Sequence, residues 1–188
     1  PNAWWNLNVQ LSYWSVYPSN RMELGMPLVD AIRNNLDNLI NNVPEPYRKD
    51  AAALPVATDF TLTGATVNVP GTEKKAQVGN LTWICHNLWL QYRFSMDESI
   101  LRNTLYPTLR RAVNFYLPFL TEDKSGKLHL KRTYSPEYGT AEDCNYDIAL
   151  LRWGCNTLLE ASRILSVDDE LIPLSLIHIS EPTRLRCI

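Results

Sequence analysis

Residues 145–165 read NYDIALLRWGCNTLLEASRIL, and this stretch decides the fold class. Its apolar side chains recur at steps of three and four: Ile148, Leu151, Cys155, Leu158, Leu159 and Leu165. Between them lie polar side chains: Arg152, Asn156, Glu160 and Arg163. This periodicity is typical of an amphipathic helix that buries one face in a core. We therefore expect a helix over 145–165.

The same periodicity recurs upstream and predicts an all-α fold. The expected helices span 5–15, 20–42, 80–94 and 97–120, the last interrupted at Pro107. Residues 55–79 are rich in Pro, Gly and Thr, which favours a loop or a short hairpin, and 127–131 is expected to be extended. Long helices in series with long loops between alternate pairs favour part of an α/α toroid over a short-looped bundle. No repeat at a fixed period appears, which argues against a helical-repeat interaction protein.

Composition excludes several classes of function. The chain has 188 residues and a net charge of −2, with no run of Lys or Arg, so we expect neither a nucleic acid nor a membrane partner. The cysteines form no Cys-x-x-Cys pair and are expected to be buried thiols: Cys85, Cys144, Cys155 and Cys187. The histidines are far apart in the sequence: His86, His129 and His178. We predict no metal and no cofactor.

The polar segment 132–147 precedes the last helix and carries a candidate acid. Pro136 fixes its own φ and favours an extended Ser135, so Glu137 is expected on a stiff backbone. A stiffly held carboxyl among aromatic rings suits acid catalysis on sugars, although solvated loop glutamates are commoner. Asp147 is expected to cap or brace the helix that follows, and Glu142 and Asp143 to stabilise its N-terminus.

Aromatic side chains cluster near amides and acids and allow two interpretations. Those concerned are Trp4, Trp5, Tyr13, Trp14, Tyr134 and Tyr138. Core packing explains each one singly, because aromatics are heavily used in cores. Their association with polar residues favours platforms for the apolar faces of a sugar.

Four motifs in order resemble glycoside hydrolase family 95, the inverting α-L-fucosidases and α-L-galactosidases. Residues 4–14 (WWNLNVQLSYW) resemble the family's Asn-x-Asn-x-Gln-x-x-Tyr-Trp motif. Trp83 and Trp89, with Phe94 and Asp97 behind them, resemble its Trp…Trp-x-x-Tyr…Phe-x-x-Asp helix. Residues 133–137 (TYSPE) resemble its Thr-x-Ser-Pro-Glu acid motif, and 147–152 (DIALLR) the helix after it.

This resemblance implies an (α/α)6 six-hairpin glycosidase fold and an oligosaccharide or glycan substrate. It makes Glu137 the general acid, and Asn6 and Asn8 the pair that orients the attacking water. Glu137 would need a raised pKa to stay protonated, and burial against Tyr134 and Tyr138 could supply it. The remaining expected substrate-binding residues are Trp5, Trp14, Trp83 and His86. The resemblance also implies a catalytic aspartate downstream of this chain, and export to the periplasm or outside the cell.

Departures from the family pattern leave the sugar open. Tyr138 stands where the family usually has Asn after Ser-Pro-Glu, and Asn87 takes the place of a His, with His86 one position earlier. Fucose, galactose and another α-linked L-sugar remain candidates, and so does a non-catalytic carbohydrate-binding or structural module. We expect 1–173 to be a fragment of the catalytic domain, poorly stable or inactive alone. Residues 174–188 resemble translated vector read-through.

Overall fold

A computed structural model describes residues 2–168 and is mainly helical, as the periodicity predicts. Within that range the α-helices are α1 (Asn8–Trp14), α2 (Met26–Asn34), α3 (Leu36–Asn41), α4 (Asn80–Ser95), α5 (Glu98–Ile100), α6 (Tyr106–Asn114) and α7 (Asn145–Leu165). Short 3-10 segments lie at Met22–Leu24, Glu45–Tyr47 and Leu117–Phe119, and a π segment at Leu101–Leu105. The toroid itself stays a prediction.

Short strands are more numerous than the single hairpin expected. Among the described residues they form three two-stranded antiparallel sheets. The pairs are β1 (Ala3–Trp4) with β2 (Ala57–Thr58), β3 (Leu120–Glu122) with β4 (Leu128–Leu130), and β5 (Thr133–Ser135) with β6 (Gly139–Ala141). The extended segment expected at 127–131 is thus confirmed as β4, and 55–79 is confirmed as mostly irregular.

Helices α4 and α7 confirm the two clearest predictions and form the centre of the fold. The predicted stripe of α4 is buried throughout: Leu81, Ile84, Cys85, Leu88 and Tyr92. α7 begins and ends at the residues predicted and buries Ile148, Leu151 and Leu158. α4 packs against α1, α6 and α7, so it is the element that the others share.

The expected single helix over 20–42 is wrong. A 3-10 turn comes first, α2 then ends before Asn35 (φ −125°, ψ 24°), and α3 follows. The Asn35 side chain donates to the Ala31 carbonyl (2.8 Å), a local hydrogen bond that competes with helix continuation. Leu28 and Ile32 are buried as the stripe predicts, whereas Leu24 lies before the break and is 57% exposed.

The helix expected over 97–120 is divided as the proline suggests. Asp97 caps α5 by accepting from the Ser99 N–H (2.9 Å). The π segment then carries the chain into α6, where Pro107 occupies the first turn and its missing N–H costs nothing. A second proline, Pro118, lies in the 3-10 turn that leads into β3.

Helix α1 is shorter than predicted and is rotated relative to its apolar pattern. Residues 3–4 pair with β2, so the helix begins at Asn8 rather than at 5. Leu7, Leu11 and Trp14 are 37%, 40% and 44% exposed, whereas Gln10 is fully buried. Within residues 2–168, no element covers the apolar side of this helix.

The expected boundary at 173 and the expected read-through tail at 174–188 lie outside the described residues, as do Cys187 and His178. Cys85, Cys144 and Cys155 are buried free thiols, as predicted. None of the helices between residues 2 and 168 has the length and apolar character of a membrane span.

Candidate active site

Glu137 lies at the tip of the β5–β6 hairpin, in a tight turn. The Tyr138 N–H donates to the Ser135 carbonyl (3.3 Å), which closes a four-residue turn with Pro136 at its second position. Glu137 occupies the third position with φ +69°. A positive φ there, after proline, defines a type II turn, which normally takes Gly or Asn. A glutamate in the left-handed region is a strained choice, and a functional role for its side chain stays a prediction.

The hairpin is tied to the loop before α4 by backbone hydrogen bonds. The Tyr134 N–H donates to the Ala76 carbonyl (2.9 Å), and the Arg132 carbonyl accepts from the Gly71 N–H (2.8 Å). Arg132 also pairs with the Glu73 carboxylate (2.7 Å). The base of the hairpin therefore has a fixed position, although its tip projects from the protein.

Asp147 is the buried carboxyl beneath this hairpin. It is completely inaccessible, and its Oδ1 accepts from the Tyr116 hydroxyl (3.3 Å). Burial raises the pKa of Asp147 to about 7, against the opposing influence of the Thr133 hydroxyl, the Tyr116 hydroxyl and the Gly79 N–H. The Thr133 hydroxyl lies near the carboxyl without completing a hydrogen bond, and Asp147 Oδ2 has no partner among the described residues. Asp147 therefore braces α7 against β5 rather than capping the helix.

Asp143 does not stabilise the start of α7 as expected, because it is engaged elsewhere. Its Oδ2 lies 2.6 Å from Nδ1 of His129, and its Oδ1 accepts from the Leu130 N–H (2.7 Å). Nε2 of the same histidine lies 3.3 Å from Asp123 Oδ2. These two carboxylates raise the pKa of His129. The cap position of α7 is Cys144, with no side-chain capping bond.

The expected burial of Glu137 is wrong for the described residues. Glu137 is exposed, and Tyr138 is 78% exposed, because both stand at the tip of the hairpin. Tyr134, in strand β5 three residues before Glu137, is half-buried, and Lys75 Nζ lies 4.6 Å from its ring centroid. Within residues 2–168, nothing shields the carboxyl of Glu137 from water.

Asn6 lies in the turn between β1 and α1, and Asn8 follows it at the start of α1; both are far from Glu137 in sequence. Asn6 is half-buried, and Asn8 is exposed as the first residue of α1. Trp5, just before them, is 5% exposed, and its indole N–H donates to Thr58 Oγ1 (2.8 Å). Core packing thus accounts for Trp5, while Trp14 at the far end of α1 is 44% exposed. Sugar binding by either tryptophan stays a prediction.

Trp83 and His86 lie on the side of α4 that faces α7. The Trp83 ring meets Tyr146 edge-on at 5.8 Å between centroids, and the His86 ring meets Trp153 at 5.1 Å. Burial lowers the pKa of His86, which favours the neutral ring, and its Nδ1 has no partner among the described residues. Because this nitrogen is itself buried, sugar binding by His86 stays a prediction.

The predicted residues therefore form three groups that meet through α4. The segment that carries Asn6 and Asn8 (the asparagine turn) packs on α4 through α1. The β5–β6 hairpin that carries Glu137 (the acid hairpin) packs on α4 through α7, and Trp83 and His86 belong to α4 itself. Sequence reasoning gave no role to the buried amides Gln10 and Asn87, although Gln10 lies in the motif of residues 4–14 and Asn87 takes the place of a family His. No group of three His, Cys, Asp or Glu side chains suited to a metal occurs within residues 2–168.

Comparisons with known proteins identify the family. The sequence pattern of the "Glycosyl hydrolase family 95 catalytic domain" matches residues 2–179. The chain is 26% identical over 178 residues to "Alpha-L-fucosidase 2" of Arabidopsis thaliana, covering 89% of this chain and 21% of that protein. It is 25% identical over 137 residues to "Probable alpha-fucosidase A" of Aspergillus niger, covering 71% of this chain and 17% of that protein. The chain thus spans about a fifth of the length of these curated relatives, and it belongs to glycosyl hydrolase family 95.

Proposed function

We propose that this chain is part of an inverting glycosidase that releases a terminal α-linked sugar, fucose- or galactose-like, from a glycan. Glu137 is the general acid that protonates the glycosidic oxygen of the leaving group. Asn6 and Asn8 orient the water that attacks from the opposite face of the sugar. An amide carbonyl accepts a hydrogen bond from water and so fixes its direction, although it cannot remove the proton.

The observation that carries this proposal is the backbone of Glu137. Glu137 occupies a turn position with φ +69°, where Gly or Asn is usual and a β-carbon is strained by about 1 kcal/mol. The strain is sustained by a hairpin anchored at Tyr134 and above Asp147. Such an arrangement aims the carboxyl outward, toward a substrate that approaches from solvent.

Inversion requires a second carboxylate, roughly 6.5–9.5 Å from the acid, to act as general base. The described residues near the asparagine turn supply none, since Asp59 is occupied in its own loop by Thr61 and Thr63. We therefore assign the base to a part of the gene product outside residues 2–168. The same part would cover the hairpin tip and shield Glu137 from water.

The test is Glu137→Gln in the complete gene product, with Glu142→Gln as the matched control. Both glutamates are exposed and lie five residues apart, but only Glu137 occupies the strained turn. We expect Glu137→Gln to lower kcat on natural glycosides by about 100-fold or more, and to affect aryl glycosides with good leaving groups much less. Unchanged turnover of natural glycosides would refute the assignment of the acid.

A second candidate is a carbohydrate-binding or structural module without catalysis. It is favoured by the exposure of Glu137 and Tyr138 at the tip of the hairpin, where no described residue covers the carboxyl. This candidate predicts sugar binding by calorimetry without any hydrolysis in the complete gene product. Proton NMR of the released sugar separates the two, because an inverting enzyme produces the anomer opposite to that of the substrate.

A further inference from the structure

Helix α1 buries a polar residue more deeply than any of its apolar ones. Gln10 is 0% exposed, whereas Leu11 on the same short helix and Leu7 just before it are 40% and 37% exposed. Burying an amide is favourable only when it is hydrogen-bonded. The hydrogen bonds of Gln10 therefore indicate what this orientation of α1 is for.

The Gln10 side chain holds the residue that precedes the asparagine pair. Its Nε2 donates to the backbone carbonyl of Trp5, immediately before Asn6. The backbone carbonyl of Gln10 in turn accepts from Nδ2 of Asn87 on α4 (3.0 Å), and Asn87 is also 0% exposed. The Asn87 amide thus donates from α4 to α1, and the Gln10 amide donates from α1 to the residue at the start of the turn.

Trp5 is fixed on its other sides as well. Its backbone N–H donates to the Val56 carbonyl (2.8 Å), and its indole N–H donates to Thr58 Oγ1 (2.8 Å). With Gln10 on its carbonyl, every polar group of Trp5 is engaged. Asn6 therefore directly follows a residue that three hydrogen bonds hold in place.

The remaining polar atoms of the two amides show that both side chains are buried at a cost. Gln10 Oε1 and Asn87 Oδ1 are buried and have no hydrogen-bond partner among the described residues. A buried acceptor without a partner costs about 1–3 kcal/mol, so each amide is buried at a cost that the hydrogen bond of its N–H has to offset. The amides are retained for their N–H donors, which act on the backbone at each end of the asparagine turn.

We infer that Gln10 and Asn87 are positioning residues that hold the turn carrying Asn6 and Asn8 in a single geometry. This inference rests on the proposed role of Asn6 and Asn8 in orienting water. Misplacing a reacting group by about 1 Å can cost roughly 100-fold in rate, so a rigid support beneath the turn has a direct kinetic value. Neither Gln10 nor Asn87 need touch the substrate.

The experiment compares Gln10→Glu with Gln91→Glu in the complete gene product. Gln91 lies one turn after Asn87 on α4, is 1% exposed, and donates through Nε2 to the Met22 carbonyl (2.9 Å). It matches Gln10 in burial and chemistry, but it holds a different loop. Both substitutions replace an amide by a carboxyl of the same shape, so their general cost to folding is comparable. Gln10→Met and Gln91→Met repeat the comparison with a side chain that cannot be protonated and donate.

Two measurements are made on each variant: hydrogen–deuterium exchange of residues 5–11, and kcat and KM separately. We expect Gln10→Glu to speed exchange in 5–11 and lower kcat by about 100-fold with little change in KM, and Gln91→Glu to do neither. Unchanged exchange in 5–11, or equal effects of the two substitutions on it, would overturn the inference. Faster exchange without loss of kcat would support the positioning of the turn and instead refute the role of Asn6 and Asn8 in water activation.

If Gln10→Glu prevents folding, Gln10→Met removes the same donor without burying a charge. Asn87→Leu then removes the donor on α4 that binds the Gln10 carbonyl. Faster exchange over 5–11 in both variants supports the inference, and normal exchange in both overturns it.

Discussion

Asp147 gives the sharpest test of the buried site beneath the acid hairpin. Its carboxyl is completely buried, and its pKa is raised from 3.8 to about 7. The folded chain therefore holds a proton on Asp147 between pH 4 and 7 that the unfolded chain has released. Stability from this group is complete below about pH 4 and falls as the pH rises to 7. Three pKa units at about 1.4 kcal/mol each make the loss about 4 kcal/mol.

The perturbation is Asp147→Asn, which keeps the shape of the protonated side chain and removes its titration. At pH 4 the variant and the parent should have similar free energies of unfolding. At pH 8 the variant should be more stable by about 4 kcal/mol, because only the parent has to bury a charge. Other groups that titrate in this range, above all His129, are shared by both chains and cancel in the difference.

The assay is urea denaturation followed by tryptophan fluorescence at several values between pH 4 and pH 8. The chain contains six tryptophans, and Trp153 lies on α7 close to the substitution. Asn156→Asp, an exposed position on the same helix, serves as a control for adding a carboxyl without burying it. Parallel pH profiles for Asp147→Asn and the parent would refute the reasoning, since they would mean that Asp147 is ionised or solvated in the folded chain.

Three further predictions concern the surroundings of the acid hairpin. His129→Gln should destabilise the chain at pH 5 and have little effect at pH 9, because a raised folded pKa gives stability that is lost as pH rises through it; the pH dependence of urea midpoints checks this. Gly79→Ala should destabilise by about 1–3 kcal/mol, because its β-carbon would lie 2.6 Å from Cε1 of Tyr146, and a calorimetric melt measures the loss. Glu137→Gly should raise the free energy of unfolding by about 1 kcal/mol while it abolishes acid catalysis, since φ +69° suits glycine; a lower stability than the parent would contradict the strained turn.

Strong periodicity made some elements predictable, and local polar competition hid others. α4 and α7 have continuous apolar stripes, so their limits follow closely from the sequence. The region 20–42 has an equally regular stripe, but the Asn35 side chain donates to the Ala31 carbonyl, and α2 ends there. The spacing of apolar residues indicates which face of a helix is buried. It does not reveal where a polar side chain binds a backbone carbonyl and ends the helix.

The sequence predicted the candidate reactive residues of the site, but it did not predict the buried residues that hold them in place. Glu137 stands out because proline and a polar segment precede it. Gln10 and Asn87 do not, because nothing in a single sequence separates a buried amide from an exposed one. Helix α1 makes the point most clearly: Leu11 and Gln10 are adjacent, and tertiary structure buries the one that a hydrophobic pattern would expose.

The supports of the proposed acid and of the proposed water-orienting pair both converge on α4. Gly79, at its N-terminal cap, lies against Asp147 beneath the acid hairpin, and Asn87, eight residues later, bonds to α1 beneath the asparagine turn. Eight residues of α-helix span about 12 Å, a length that a helix buried along its apolar stripe cannot change without disrupting the core. An inverting mechanism needs its acid and its water at a fixed separation on opposite faces of the sugar. α4 is therefore the element that would set this separation, and the hairpin and the turn would set only the direction in which each group points.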